Sequence, residues 1–258
     1  MNKTTIPIKA ISFDFWNTLF TEQDGGFKLY QDTRRQILTK TLCEAGQAFT
    51  YEQVAEAAHL EAESHHLIWI REHRTLVAAE RLQRVLTRLN TSLPEDICTQ
   101  VVAAYEDGLL ERPPTLVAGA REVIEQLAGR FRLGLISDIG FSPGRVLRQV
   151  MEQAGVLRYF ESLIFSDEAG RSKPHPEVFK QTQQALAAAP EAIVHIGDLE
   201  HTDIVGANNA GFHSIRFVGI TPLQAGEKSQ AHYVITDLRE VPQIIEALEN
   251  RLEGEVRR

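Results

Sequence analysis

The spacing of hydrophobic residues changes along the chain. A short apolar run over residues 8–13 is typical of a buried strand and stops at Asp14. From about residue 27 to residue 110, apolar residues recur every three or four positions, which indicates amphipathic helices. Pro94, which precedes an acidic turn, predicts a helix start, and Pro113-Pro114 predicts the end of this region. The two clearest helical stripes are Tyr51, Val54/Ala55, Ala58 and Ala62, and then Leu76, Ala79, Leu82, Leu86 and Leu89.

Beyond this region, short apolar runs alternate with helical segments, as in parallel α/β sheets. Ser142 is predicted to cap the first of these helices, with Pro143 in its first turn and Gly155 at its end. Small residues after Asp203 predict a closely packed helix that ends at Gly211. The predicted strands are Arg132–Ser137, Ser162–Phe165, Ile193–Gly197, Ser214–Val218 and Tyr233–Thr236.

One strand, a long helical insertion and then the rest of a parallel sheet form a specific order. This order predicts an α/β protein in two parts. Residues 1–20 and 112–258 form the core, and residues 21–111 form a helical cap inserted after the first strand. We expect the cap over the carboxyl ends of the strands, where open α/β sheets bind ligands.

Composition excludes several classes of protein. The 258 residues carry a net charge of −8, which argues against partners such as nucleic acid or an anionic membrane. No segment approaches the roughly 18 to 20 consecutive apolar residues that span a bilayer, and residues 1–10 lack the apolar run of a signal peptide. Cys43 and Cys98 have no metal-ligand spacing and are interpreted as free thiols. We therefore expect a soluble, cytoplasmic protein, with its oligomeric state left open.

Polar side chains follow the ends of the predicted strands. Asp14 directly follows the first predicted strand, and Ser137 is the last residue of the second. Lys173 lies in a Ser-Lys-Pro loop, and Asp198 and Asp203 bracket a tight turn after another strand. Carboxylate oxygens suit Mg²⁺, while the ammonium and hydroxyl groups would hold a tetrahedral anion. Asp14 would then be placed to attack that anion as a nucleophile.

These motifs, in this order, resemble those of the haloacid dehalogenase (HAD) superfamily, most of whose members are Mg²⁺-dependent phosphatases. The resemblance covers nearly the whole chain and implies a Rossmann-like core with a helical cap. It implies that Asp14 forms an aspartyl intermediate and that Thr18 orients this nucleophile. It also implies that Ser137 and Asn17 bind the substrate, and that Lys173 balances the charge between Asp14 and the phosphate.

The same resemblance implies a magnesium site. Asp14, Asp198 and the backbone carbonyl of Trp16 would bind the ion, and Asp203 would support them. The expected partner is a small phosphorylated or otherwise anionic molecule.

Two positions depart from the family pattern. Family phosphatases carry an acid/base Asp where this chain has Trp16. Indole has no usable proton at neutral pH, so the change removes a contribution of about 10²- to 10⁴-fold from reactions that need an acid. Asp138 stands where Asn or a small residue is usual, and is interpreted as a helix-entry residue that faces its loop.

Several cationic or titratable side chains accompany these motifs. A cluster in the insertion is interpreted as a solvated helix face, with a substrate-binding cap surface as the alternative. Its members are His65, His66, Trp69, Arg71, His73 and Arg74. His195 lies inside an apolar strand and is interpreted as a satisfied core residue, whereas His201 is the better candidate for substitute acid/base work. His175 has no metal-ligand spacing.

Three functions remain open at this point. The first is Mg²⁺-dependent phosphoryl transfer through Asp14, on a small phosphorylated substrate with a good leaving group. The second is carbon–halogen hydrolysis, because dehalogenases of the family carry an aromatic residue at the position of Trp16. Those enzymes use no metal, however, and lack the acidic residue that Asp198 provides. The third is a regulatory anion-binding protein without turnover.

Overall fold

The computed structural model describes residues 7–23 and 25–256, with side chains up to residue 250. Residues 1–6, on which the expectation of no signal peptide partly rests, lie outside the described residues. Within these ranges, none of the helices combines the length and the apolar character needed to cross a bilayer.

In the described part of the chain, a six-stranded parallel sheet has the order β5-β4-β1-β6-β7-β8. Strands β1 and β6 are buried along their whole length, which explains their continuous apolar sequence. The strands of the sheet are β1 Ala10–Phe13, β4 Arg132–Ser137, β5 Phe160–Phe165, β6 Ile193–Gly197, β7 His213–Phe217 and β8 Tyr233–Ile235. The predicted α/β class and every predicted strand are confirmed, with ends that differ by up to two residues.

Outside the insertion, the described residues contain six α-helices. They are α5 Ala120–Ala128, α6 Gly144–Gln153, α7 Ser166–Ala169, α8 Pro176–Ala185, α9 Val205–Asn209 and α10 Val241–Val256. A short antiparallel pair, β2 Phe20–Thr21 and β3 Thr115–Leu116, lies where the chain leaves and re-enters the sheet region.

The insertion is helical, as predicted. Its helices are α1 Gly26–Glu44, α2 Tyr51–Glu72, α3 Ala78–Arg88 and α4 Glu95–Glu111. They share an apolar core that includes Leu38, Val54, Leu82 and Tyr105. Ala79, which the sequence places on the buried stripe of α3, is exposed.

The start of α6 differs from its prediction. The helix begins at Gly144, one residue after the predicted first position at Pro143. The Ser142 hydroxyl donates to the carbonyl of Glu106 at 2.8 Å, and its role as the cap stays a prediction. Gly155 follows the end of the helix in the left-handed conformation, with φ of 68°, which is the predicted stop.

The chain divides into two compact units. The sheet unit comprises the described parts of Met1–Thr21, Thr115–Asp138 and Met151–Arg258, and the helical unit comprises those of Glu22–Pro114 and Ile139–Val150. Ile139–Val150 belongs to the helical unit in the structure, whereas the sequence division assigns it to the core. The predicted domain limits therefore stay a prediction.

A buried ion pair joins α2 to α3. Arg81 donates to both carboxylate oxygens of Glu61 at 2.9–3.1 Å, and both side chains are less than 10% exposed. The Arg81 guanidinium also lies 3.8 Å from the centre of the Phe141 ring, which Arg34 contacts at 4.0 Å. The helical unit therefore buries a charged pair at two positions that lie outside the predicted apolar stripes.

One glycine permits a close approach at the end of β6. A Cβ atom on Gly197 would lie 2.3 Å from Cγ of Asp203, well inside van der Waals contact. Asp203 can therefore occupy this position only because residue 197 has no side chain.

Replacing Glu61 with Gln should lower the free energy of unfolding by about 3 to 5 kcal/mol, because Arg81 would stay buried without its counter-charge. Denaturant titration of the full chain measures this change. Glu44, whose exposed carboxylate lies 3.7 Å from Lys40, provides the matched control. A loss for Glu61→Gln no larger than that for Glu44→Gln would contradict the structural importance of the buried pair.

Replacing Gly197 with Ala should lower stability by about 1 to 3 kcal/mol, the usual cost of overpacking a dense site. Gly108, in the last turn of α4, has open space where its Cβ would lie, so Gly108→Ala is the control. That control should be neutral or stabilising because Ala favours a helix more than Gly does. Equal unfolding midpoints for the two variants would argue against a tight contact at Gly197.

Candidate active site

The central strands bring the candidate residues to one edge of the sheet. Asp14 follows β1, which lies between β4 and β6. Ser137 is the last residue of β4, and Asp198 comes directly after β6. Because these strands are parallel neighbours, their carboxyl ends lie side by side. Asp203 lies on a π-helical turn, Glu200–Ile204, an irregularity that often occurs at functional sites.

The ammonium group of Lys173 occupies the centre of this cluster. It donates to Asp14, to Oδ1 of Asp203 at 2.7 Å and to the backbone carbonyl of Ile136 at 2.9 Å. Burial acts to lower the pKa of Lys173, but Asp14 and Asp203 outweigh it and hold this pKa above its ordinary value. These three contacts use all three N–H donors of the group, so Lys173 contributes mainly its charge to the site.

Asp203 is held by the protein on both carboxylate oxygens. Oδ1 accepts from Lys173 and, at 3.1 Å, from Nε2 of His195. Oδ2 accepts from the backbone N–H of Leu199 at 3.1 Å and from the Thr202 hydroxyl at 3.3 Å. Burial opposes ionisation of Asp203, yet Lys173 and His195 keep its pKa below the ordinary value. Asp203 is therefore an ionised, well-anchored member of the cluster.

In contrast to Asp203, Asp14 and Asp198 have pKa values above the ordinary value for Asp. Burial raises the pKa of Asp14 well above its ordinary value; Lys173 opposes this effect, and Asp203 and Asp198 add to it. Burial, together with the charge of Asp203, raises the pKa of Asp198 to about 7. Burial thus disfavours the ionised forms of Asp14 and Asp198, even though the Lys173 ammonium contacts Asp14 directly.

The donor set fits a divalent cation. One carboxylate oxygen from each of Asp14, Asp198 and Asp203 lies within 4.8 Å of the others. Three carboxylates against the single ammonium of Lys173 leave two negative charges when all are ionised. Hard oxygen ligands with an excess of negative charge are the chemistry that Mg²⁺ selects.

The other predicted site residues of the first motif lie in the segment that follows β1 and Asp14. The Thr18 hydroxyl is buried and has no hydrogen-bond partner among the described residues. Asn17 adopts a left-handed conformation with φ of 54°, and its amide oxygen accepts a weak hydrogen bond from Thr21 at 3.4 Å. The Trp16 ring packs edge-on against Phe15, with ring centres 4.9 Å apart.

His195 has a larger role than the core position predicted for it. It is fully buried, and its two ring nitrogens contact Ser12 at 2.9 Å and Asp203 at 3.1 Å. Burial lowers its pKa, which favours the neutral ring. The alternation of β1 and β6 could have paired Ser12 with His195, because they are register partners in the sheet. The contact of His195 with Asp203 depends on the conformation of the turn after β6, which no sequence pattern predicts.

The interpretation of Asp138 as a helix-entry residue that faces its own loop is wrong, because α6 begins only at Gly144 and the carboxylate contacts a different loop. Its Oδ1 accepts from the backbone N–H of Lys173 at 2.9 Å, so the carboxylate holds the loop that carries the ammonium. His175 caps α8 through its ring, which accepts from the N–H of Glu177 at 3.2 Å. His201 lies exposed on the π-helical turn.

The cap cluster lies in the helical unit. His66 packs against Trp69, with ring centres 5.8 Å apart, and Arg74 pairs with Glu80 at 3.0 Å. Burial lowers the pKa of His65 to about 3, and the nearby Arg81 adds to this effect. Arg71 is exposed at the end of α2. A role for His65, His66, Arg71 or Arg74 in binding substrate stays a prediction.

Comparison with known proteins adds sequence and structural relatives. Glyceraldehyde 3-phosphate phosphatase of Pyrococcus furiosus is 33% identical over 141 residues, which are 52% of this chain and 54% of that protein. The chain thus spans about half the length of this relative. The Methanopyrus kandleri glyceraldehyde 3-phosphate phosphatase is 24% identical over 220 residues, covering 81% and 83% of the two chains.

Solved structures share the fold. The HAD hydrolase YfnB from Bacillus subtilis, bound to magnesium, matches with a TM-score of 0.63 at 18% identity, over 93% of this chain and 99% of that one. A family model described as haloacid dehalogenase-like hydrolase matches residues 8–211, a range that contains β1, the four helices of the insertion and every member of the carboxylate cluster. With four-fifths of its length matched in this way, the chain belongs to the haloacid dehalogenase-like hydrolases.

Proposed function

We propose that this hydrolase is a Mg²⁺-dependent phosphatase that acts on a small phosphorylated molecule through an aspartyl intermediate on Asp14. One observation carries the proposal: the buried carboxylates of Asp14, Asp198 and Asp203 surround one ammonium group and leave excess negative charge. Two phosphatases among the relatives support the reaction class. The magnesium-bound relative of the same fold supports the choice of metal.

Asp14 and Asp198 are the proposed metal ligands, together with the backbone carbonyl of Trp16, and Asp203 supports them. Asp203 already accepts hydrogen bonds on both of its oxygens, which favours a supporting position. When bound, the ion supplies positive charge against the phosphoryl oxygens. It would also favour the ionised forms of Asp14 and Asp198, which burial alone disfavours.

Asp14 acts as the nucleophile in the first half-reaction. Its carboxylate oxygen attacks phosphorus, the bond from phosphorus to the leaving oxygen breaks, and that oxygen takes the electron pair. Lys173 orients Asp14 and opposes the effect of burial on the pKa of this carboxylate, since it contacts the carboxylate directly. The Ser137 hydroxyl, which donates to the carbonyl of Asp138 at 3.2 Å in this structure, and Asn17 are the proposed substrate contacts, and the buried Thr18 is proposed to orient Asp14. The product is an aspartyl phosphate, which water then hydrolyses.

Trp16 limits which substrates this reaction can use. Its indole N–H can donate a hydrogen bond but does not release a proton at neutral pH. An alkoxide leaves slowly without a proton, whereas aryl and acyl phosphates leave as stable anions. We therefore propose a substrate with a good leaving group, for which the missing acid costs little.

Carbon–halogen hydrolysis is the second candidate, because Trp16 is aromatic and halide leaves without a proton. Against it stands Asp198, whose buried carboxylate has no use in a reaction that needs no metal. A panel of alkyl, aryl and acyl phosphates and 2-haloacids, with and without Mg²⁺, separates these functions from a regulatory protein without turnover. Turnover of aryl or acyl phosphates that is lost on removing Mg²⁺ is the result expected here.

Replacing Asp14 with Asn should abolish turnover of the best substrate, because the amide cannot form the covalent intermediate. Steady-state kinetics measures the effect, with mass spectrometry to exclude deamidation back to Asp. Asp107→Asn is the control, since this residue pairs with Arg145 on an exposed surface of the helical unit. Wild-type turnover in a verified Asp14→Asn sample would remove Asp14 as the nucleophile.

Replacing Trp16 with Asp should raise the turnover of alkyl phosphates by about 10²-fold, the lower end of what a positioned acid/base contributes. Trp16→Phe is the matched variant, because it removes the indole without supplying an acid. The wild type and Trp16→Phe should both favour aryl over alkyl phosphates. Brisk wild-type hydrolysis of alkyl phosphates, independent of leaving-group pKa, would show that another residue supplies the proton.

A further inference from the structure

A buried arginine supports the loop that carries Asp198. Arg216 lies on β7 directly beside Gly197, its register partner on β6, and is only 4% exposed. Its Nε donates to the backbone carbonyl of Asp198 at 3.0 Å. This contact fixes the peptide that follows β6, at the point where the chain turns away from the sheet.

The same guanidinium joins two further segments to that loop. Its NH1 group lies 2.9 Å from a carboxylate oxygen of Glu200 and 2.6 Å from one of Glu227. Glu200 also accepts from the Ser229 hydroxyl at 2.6 Å and from the N–H of Gln230 at 2.7 Å. Residues 218–232, which connect β7 to β8, are therefore fastened to the turn that follows Asp198.

Thr221 extends this support to the carboxylate itself. Its hydroxyl lies in residues 218–232 and donates to Oδ2 of Asp198 at 3.1 Å. One oxygen of the Asp198 carboxylate is thereby fixed by a side chain from a segment distant in sequence.

We propose that Thr221 and Arg216 are positioning residues for the metal site, and that they orient Asp198 before the ion binds. The inference rests on the proposed Mg²⁺ site and adds two residues outside the recognised motifs. Arg216 fixes the backbone of Asp198, and Thr221 fixes the rotation of its side chain. A ligand held in place loses less conformational freedom on binding, so the pre-set carboxylate binds metal more tightly.

The test compares Thr221→Val with Thr221→Ser in the full chain. Val has nearly the shape of Thr without the hydroxyl, whereas Ser keeps the hydroxyl. Isothermal titration with MgCl₂ should give a Kd for Thr221→Val about 10-fold or more above that of the wild type, the usual scale for losing an outer contact to a metal ligand. Thr221→Ser should return the Kd to within about 3-fold of the wild type. Thr236→Val, at an exposed position nearby, should leave the Kd unchanged.

Arg216→Met provides the second variant. It should also raise the Kd for Mg²⁺, but it leaves Glu200 and Glu227 without their cation, so its fold must be checked by circular dichroism. In both variants, kcat at saturating Mg²⁺ should stay close to that of the wild type, while the Mg²⁺ concentration for half-maximal activity rises. A purely structural defect would lower kcat at every Mg²⁺ concentration.

The outcomes separate this inference from the proposed function. If the wild type takes up no Mg²⁺, the proposed metal site is wrong and the positioning role falls with it. If the wild type binds Mg²⁺ and Thr221→Val binds it equally well, the metal site stands and the positioning role is overturned. A raised Kd in Thr221→Val that Thr221→Ser does not rescue would also overturn it, because the hydroxyl would not be the cause.

Discussion

The contact between the Lys173 ammonium and its acceptors is the constraint around which this edge of the sheet is built. A buried carboxylate costs several kcal/mol to desolvate, on the order found for ions in protein interiors, unless a counter-charge lies close to it. Lys173 lies against Asp14 and Asp203 at once and keeps the pKa of Asp203 below its ordinary value, whereas the pKa values of Asp14 and Asp198 stay raised. The positions of the Asp138 loop, the π-helical turn and Gly197 are all consistent with keeping these groups around one ammonium.

Trp16 and Lys173 place opposite demands on the chemistry. In the proposed reaction the ammonium orients Asp14 and opposes the rise of its pKa on burial, but nothing at position 16 assists departure of the leaving group. A site of this kind discriminates among substrates by the stability of the departing anion as well as by shape. The proposed selectivity therefore arises at the reacting bond, before any contact to the rest of the substrate is considered.

Sequence patterns predicted the sheet well because buried parallel strands are short, apolar and followed by polar residues, as at Phe13-Asp14 and Gly197-Asp198. They did not predict contacts made between distant segments. Glu61 and Arg81 look solvent-exposed by composition, since charged residues are rarely buried unless paired. Thr221 lies in a segment without periodicity, and only the fold brings its hydroxyl to Asp198. Long-range hydrogen bonds of this kind have no local pattern from which to infer them.

The grouping of Ile139–Val150 with the helical unit has a consequence for how such proteins can be recombined. The chain leaves the sheet unit twice, because Phe141 stacks between Arg34 and Arg81, far from it in sequence. A transplant of residues 22–114 alone into a relative would carry two arginines without the ring they cover. Modular exchange of the helical part must therefore move two separate pieces of chain, which makes it a paired graft rather than a single insertion.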